Sequence, residues 1–152
     1  MLLLDHMSHT DSSVFKLTVP SRMEELASVQ QLVERATQAF GLTDELAHWI
    51  ELTVSESAIN AIQHGNGLDP SKTVFLSISS DGEAIEIVVE DQGTGFQLTE
   101  IPDPTDMENL LKPGGRGILI IRSFMDTVEV TLREGGGSRL RMVKKLQDGQ
   151  LT

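Results

Sequence analysis

Glu56, Asn60 and His64 stand four residues apart within Glu51-Leu52-Thr53-Val54-Ser55-Glu56-Ser57-Ala58-Ile59-Asn60-Ala61-Ile62-Gln63-His64-Gly65-Asn66. If this stretch is helical, each step of four advances about 40° past a full turn, so the three side chains project from one side. A carboxylate one turn from a neutral carboxamide, beside an apolar stripe, offers a proton acceptor and an oxygen ligand for a hard cation. A solvated helix face would show the same row, and the stretch alone does not choose between them. Further on, Asp91-Gln92-Gly93-Thr94-Gly95-Phe96 follows directly on an apolar run. Gly93 and Gly95 would let a ligand approach the main chain closely. Asp91 could accept a hydrogen bond from an amino group such as that of adenine, although a tight turn has the same composition. Gly114-Gly115-Arg116-Gly117 precedes a second apolar run. Free N–H groups at such a junction attract anions, and Arg116 would add charge directed at phosphate. A glycine hinge with a surface arginine reads identically.

These residues need elements to hold them. Thr43 is placed to cap the central helix, with Asp44 and Glu45 in its first turn and Gly65 at its end. Leu46, Ile50, Val54, Ala58, Ala61 and Ile62 recur at helical spacing and are expected to face a core. Ahead of it, Val14 to Val19 alternates as a strand that Pro20 ends, and Ser21-Arg22-Met23-Glu24 has the spacing of a capping box. Leu26, Val29, Val33, Ala36 and Phe40 then give a first helix one apolar face, stopped by Gly41. After the turn cluster Asn66-Gly67-Leu68-Asp69-Pro70, residues 73–79 and 84–90 read as a hairpin through Ser80-Asp81-Gly82-Glu83. Residues 97–115 show no sustained period, and a segment of about 19 such residues in a compact domain is commonly a functional lid. Within it, Thr105 to Leu111 could form one short helix. Gly117 to Met125 reads as a buried helix, and residues 127–132 and 140–146 as a last hairpin across Gly135-Gly136-Gly137. The expected fold is α+β: a two-layer α/β sandwich with a mostly antiparallel sheet, helices on one face and a lid. Residues 14–146 are expected to form the domain, flanked by a tail at 1–13 and a C-terminal tail at 147–152.

Composition excludes several classes. The 152 residues contain no cysteine, which removes disulfides, Cys-ligated zinc and a thiol nucleophile. One domain of this length buries about two thirds of its unfolded surface. No apolar run approaches the roughly 18 residues of a membrane span. Met1-Leu2-Leu3-Leu4 is followed by Asp5 and His6 with no basic lead, so a cytoplasmic protein without a membrane partner is expected. The net charge is -11, and residues 43–111 hold 14 acids against one base, Lys72. Nucleic-acid binders carry the opposite sign with stacking aromatics, and here there are five phenylalanines, one tryptophan and no tyrosine. The sequence contains no P-loop, no G-x-G-x-x-G after the first strand, no kinase catalytic loop and no H-E-x-x-H. His48 beside Trp49 reads as a packed or surface residue.

Three modest signals in fixed order carry more weight together. Glu-x-x-x-Asn-x-x-x-His-Gly-Asn at 56–66, Asp-x-Gly-x-Gly-Phe at 91–96 and Gly-Gly-Arg-Gly-Ile at 114–118 resemble the three boxes of the GHKL (histidine-kinase-like) ATPases. Within that family, Ser55 to His64, the lid-like Pro102-Asp103-Pro104-Thr105 with Glu108-Asn109-Leu110, and Ile121 to Asp126 are similar to the anti-sigma-factor serine kinases. The resemblance covers residues 14–146. It implies ATP and Mg²⁺ as cofactors, with Asn60 coordinating the metal and Glu56 as general base. It further implies Asp91 on the adenine amino group, Gly93 and Gly95 beside the base, and Gly115, Arg116 and Gly117 on the phosphates. Ser138 stands where the family usually has a threonine that assists at adenine. His64 and Asn66 would shape the end of the helix. The implied partner is a STAS-type anti-sigma-factor antagonist, with a sigma factor as a second partner and a homodimeric state. One departure is Gln30, at the best match to a family arginine implicated in partner contact.

Four functions remain to be weighed against coordinates. The first is a protein serine/threonine kinase acting on that antagonist. The second is a nucleotide-controlled switch that sequesters a regulator without phosphotransfer. A histidine kinase fragment would need a phosphoacceptor in an upstream helical hairpin, and His6 and His9 lie in a polar stretch. A structural domain with incidental glycine turns would have no nucleotide affinity for Asp91→Asn to change.

Overall fold

A computed structural model describes residues 13–93 and 121–152. The expectations for residues 1–12 and for the lid, its short helix and the start of the helix at Gly117 lie outside the described residues.

Alternating side chains build the sheet. Strands β1 (Ser13–Pro20), β2 (Thr73–Ser80), β3 (Ala84–Glu90), β4 (Thr127–Leu132) and β5 (Ser138–Lys145) lie in the order β1-β2-β3-β5-β4. Every neighbouring pair is antiparallel. Cross-strand register brings Leu17 opposite Leu76, Ile78 opposite Ile87, Val89 opposite Leu140 and Met142 opposite Val128. One face is therefore continuously apolar, and a slip of one residue would turn that set to solvent. The opposite face is polar, with Arg141 bridging Glu86 at 2.5 Å and Glu129 at 2.7 Å across three strands. Pro20 falls at the end of an edge strand, where its missing donor costs no ladder bond.

Two helices cover the apolar face. Helix α1 (Leu26–Ala39) buries Val29, Leu32, Val33 and Ala36. It closes on Gly41, whose φ of 69° suits a left-handed cap; the Leu42 N–H reaches the Thr37 carbonyl and the Gly41 N–H the Gln38 carbonyl. Helix α2 (Asp44–Asn60) starts at Thr43, whose hydroxyl accepts the Leu46 N–H at 3.4 Å. Leu46, Ile50, Val54, Ala58 and Ile62 join the sheet residues, Ile121 and Met125 in one core. The layered sandwich is as the sequence leads one to expect.

Three local expectations change. No capping box forms at Ser21; a 3₁₀ turn, Met23–Glu25, leads into α1, and the Ser21 hydroxyl donates instead to the Lys72 carbonyl at 2.8 Å. A long-range partner has outbid a local cap worth about 1 kcal/mol. The last turn of the central helix widens to a π-turn, Ala61–Gly65, closed by the Asn66 N–H on the Ala61 carbonyl at 2.8 Å. The last residues also run back along the domain. The Thr43 N–H donates to the Gln150 carbonyl and the Thr152 N–H to the Gly41 carbonyl.

Candidate functional site

The ladder between β3 and β5 continues one residue past β3, and that residue is Asp91. Its N–H donates to the Ser138 carbonyl at 3.0 Å, and its Oδ1 accepts the Ser138 N–H at 3.1 Å and the Gly93 N–H at 3.0 Å. The carboxylate is buried and oriented by two backbone donors, and among the described residues its Oδ2 accepts no hydrogen bond. That oxygen lies against Gly65, where an added Cβ would overlap it. A Cβ on Gly93 would overlap the Gly65 carbonyl, and one on Gly137 the Asp91 carbonyl. Three glycines thus crowd around Asp91, Gly65 against its side chain, Gly137 against its main chain and Gly93 against Gly65.

Helix α2 brings the second group of residues to the same corner, because Gly65 ends the π-turn that follows Asn60. Asn60 is only 7% exposed, yet among the described residues nothing is hydrogen-bonded to its carboxamide. Its amide atoms are not among the fully buried, unpartnered ones, so the amide keeps a path to solvent along which a ligand can reach it. Its oxygen fits Mg²⁺, a hard cation that takes few protein ligands and completes its shell with phosphate oxygens and water. Glu56, one turn earlier and half-buried, has its carboxyl pushed above the ordinary value by desolvation. His64 lies within the π-turn and is exposed.

Glu56 and Asn60 are thus placed on α2, Asp91 and Gly93 just past the end of β3, and Ser138 at the start of β5. Gly95, Gly115, Arg116 and Gly117 lie outside the described residues. Gln30 is exposed on α1, in a groove of about 460 Å³ between α1 and α2 that Glu34, Asp44, His48 and Glu51 also line. The close approach of Gly65 and Gly137 was not anticipated. The triple glycine signalled a hairpin turn, but nothing local marks what its backbone touches. Among the described residues no helix is long and apolar enough to cross a membrane.

Comparison with known proteins places this arrangement. Residues 19–144 match the profile of the histidine kinase-like ATPase domain. A serine-protein kinase RsbW of Halalkalibacterium halodurans is 31% identical over 138 residues, covering 87% of this chain and 83% of its own. An anti-sigma F factor of Clostridium perfringens is 36% identical over 99 residues, covering 64% of this chain and 71% of its own. Among solved structures, the SiaB-SiaC complex from Pseudomonas aeruginosa matches with a TM-score of 0.63 at 15% identity, over 93% of this chain and 96% of that one. The RsbU and RsbW domains of a Mycobacterium tuberculosis protein match with a TM-score of 0.60 at 13% identity, over 92% of this chain and 34% of that one. Both structural matches speak for the fold.

Proposed function

The chain belongs to the histidine kinase-like ATPase family, and from that premise we propose that it is an ATP-dependent protein serine/threonine kinase and anti-sigma factor. Its substrate in this reading is a STAS-type anti-sigma-factor antagonist, and a sigma factor is the partner it holds and releases. The observation that carries the reading is the pairing on α2 of a desolvated carboxylate, Glu56, with Asn60, whose amide makes no hydrogen bond among the described residues, on a helix whose closing π-turn ends against Asp91.

Each residue then has a task. Asp91 Oδ2 accepts a hydrogen bond from the adenine amino group, while Gly93 and Gly95 keep the main chain close to the base. Asn60 holds Mg²⁺ through its amide oxygen, and Gly115, Arg116 and Gly117 hold the phosphates. The metal, when bound, neutralises charge on the phosphate oxygens. Glu56 accepts the proton of the acceptor serine or threonine hydroxyl as its oxygen bonds to the γ-phosphorus; the bond from that phosphorus to the bridging oxygen breaks and ADP leaves. A base whose affinity for protons is raised toward neutral pH does this better than an ordinary carboxylate. Ser138 orients Asp91 through its backbone, and in this reading its hydroxyl keeps the role of the family threonine. The homodimeric state and a cytoplasmic location belong to the same reading.

The test is incubation with γ-labelled ATP and STAS-domain proteins of the same organism. One of them should gain a single labelled phosphate, and Glu56→Ala should lower that transfer by about 10²–10⁴-fold while Mg·ATP affinity holds. The C. perfringens relative's name as an anti-sigma F factor keeps a second reading in view, a switch that binds without transferring. A stable complex with no added phosphate would select it.

A further inference from the structure

We infer that Asn66 and Arg133 are positioning residues that clamp the peptide bond between Asp91 and Gln92, and that this clamp sets the preference for adenine. The inference deepens the proposed reading of Asp91 and rests on it.

Asp91 needs such support. It lies one residue past the paired residues of β3 and is the last to bond back to Ser138. The aim of Oδ2 depends on how the next peptide group is held, since that group carries the chain to Gly93, whose N–H fixes Oδ1 at 3.0 Å. Both polar atoms of that group are taken by side chains from distant parts of the chain. The Asp91 carbonyl accepts a hydrogen bond from Arg133 Nη1 at 2.7 Å, and the Gln92 N–H donates to Asn66 Oδ1 at 2.7 Å.

Each jaw of the clamp is itself fixed. Asn66 is 3% exposed, and its Nδ2 donates to the Ser21 hydroxyl at 2.7 Å and to the Thr73 carbonyl at 2.9 Å. That ties its amide to the end of β1 and the start of β2. Gln92 is held a second time, its Oε1 accepting the Thr73 N–H at 2.7 Å. Arg133 sits in the turn between β4 and β5, where its N–H donates to the Gly137 carbonyl at 2.9 Å and its Nε lies 3.7 Å from Glu90 Oε1. Gly137, at φ 100°, lets the turn lie directly on the Asp91 carbonyl. Neither Asn66 nor Arg133 is assigned contact with the nucleotide; both act through Asp91.

The experiment compares binding of Mg·ATP and Mg·ITP to the full chain by calorimetry, because inosine carries a carbonyl where adenine carries the amino group. The wild type should prefer ATP. Arg133→Met and Asn66→Ala should each weaken ATP by about tenfold, the scale of one unmade hydrogen bond, and shift ITP by less than about twofold. Arg133→Lys, which keeps a donor, should retain most of the preference. Arg133 is partly exposed, so its variants serve even where Asn66→Ala fails to fold. Equal weakening of ATP and ITP, or a preference unchanged in the Arg133 variants, would overturn the clamp. A wild type that binds both nucleotides equally would instead overturn the adenine reading of Asp91, and the clamp with it.

Discussion

At the Asp91 corner almost every polar group has a partner, whereas along α2 several polar side chains have none among the described residues. Asp91 takes two backbone donors on one oxygen, and Asn66 makes three hydrogen bonds. On the helix, among the described residues, the Asn60 carboxamide is bonded to nothing, Glu56 is desolvated, and the buried Thr53 hydroxyl has no partner. A recognition surface gains from rigidity, because a correctly aimed acceptor rejects a base that lacks the matching donor. Under the proposed function, the side chains of α2 would gain their partners only when ligand and metal bind. The two regions adjoin at Gly65, so one nucleotide could span both.

Breaking the satisfied corner should cost most. Gly137→Ala puts a Cβ into the Asp91 carbonyl at a residue already at φ 100°. We expect a loss of about 2–4 kcal/mol in urea-induced unfolding, together with loss of ATP binding. Stability within about 0.5 kcal/mol of wild type would mean the corner is softer than its contacts imply.

Removing the desolvated charge from α2 should act in the opposite direction. Desolvation raises the native pKa of Glu56 above its usual value of 4.5, so the folded state prefers the protonated form. Its favourable contribution is complete below the unfolded pKa and is lost as pH rises through the native one. Glu56→Gln should therefore melt with the wild type in acid and become progressively more stable than it toward neutral pH. A melting difference that shrinks as pH rises would show that the anion is the stabilised form. Phosphotransfer should likewise fail on the acid side, with a midpoint above 4.5. The smallest effect is expected at Thr53→Val, which replaces an unpartnered hydroxyl by a methyl of the same shape. Thermal melts should show it neutral or stabilised by up to about 1 kcal/mol, and a clear loss would reveal a partner for that hydroxyl.

Most of the architecture was legible from pattern. The alternation of Val74, Leu76 and Ile78, the helical recurrence of Leu46, Ile50, Val54 and Ala58, the start at Thr43 and the stop at Gly41 all appear as read. Glu56 and Asn60 were found because four-residue spacing on a helix is a local property. Ser21 was misread because a hydrogen bond to Lys72, 51 residues away, competes with the cap.

The sequence alone determined the elements, the core faces and the candidate side chains, since periodicity, capping and turn chemistry act over a few residues. Only the tertiary structure decided that Gly65, Gly93 and Gly137 meet at Asp91, that Asn66 and Arg133 hold the peptide beyond it, and which oxygen is left to accept. Those contacts join residues 26 to 46 positions apart, and they exist only because burying one sheet face sets the strand register for the whole chain.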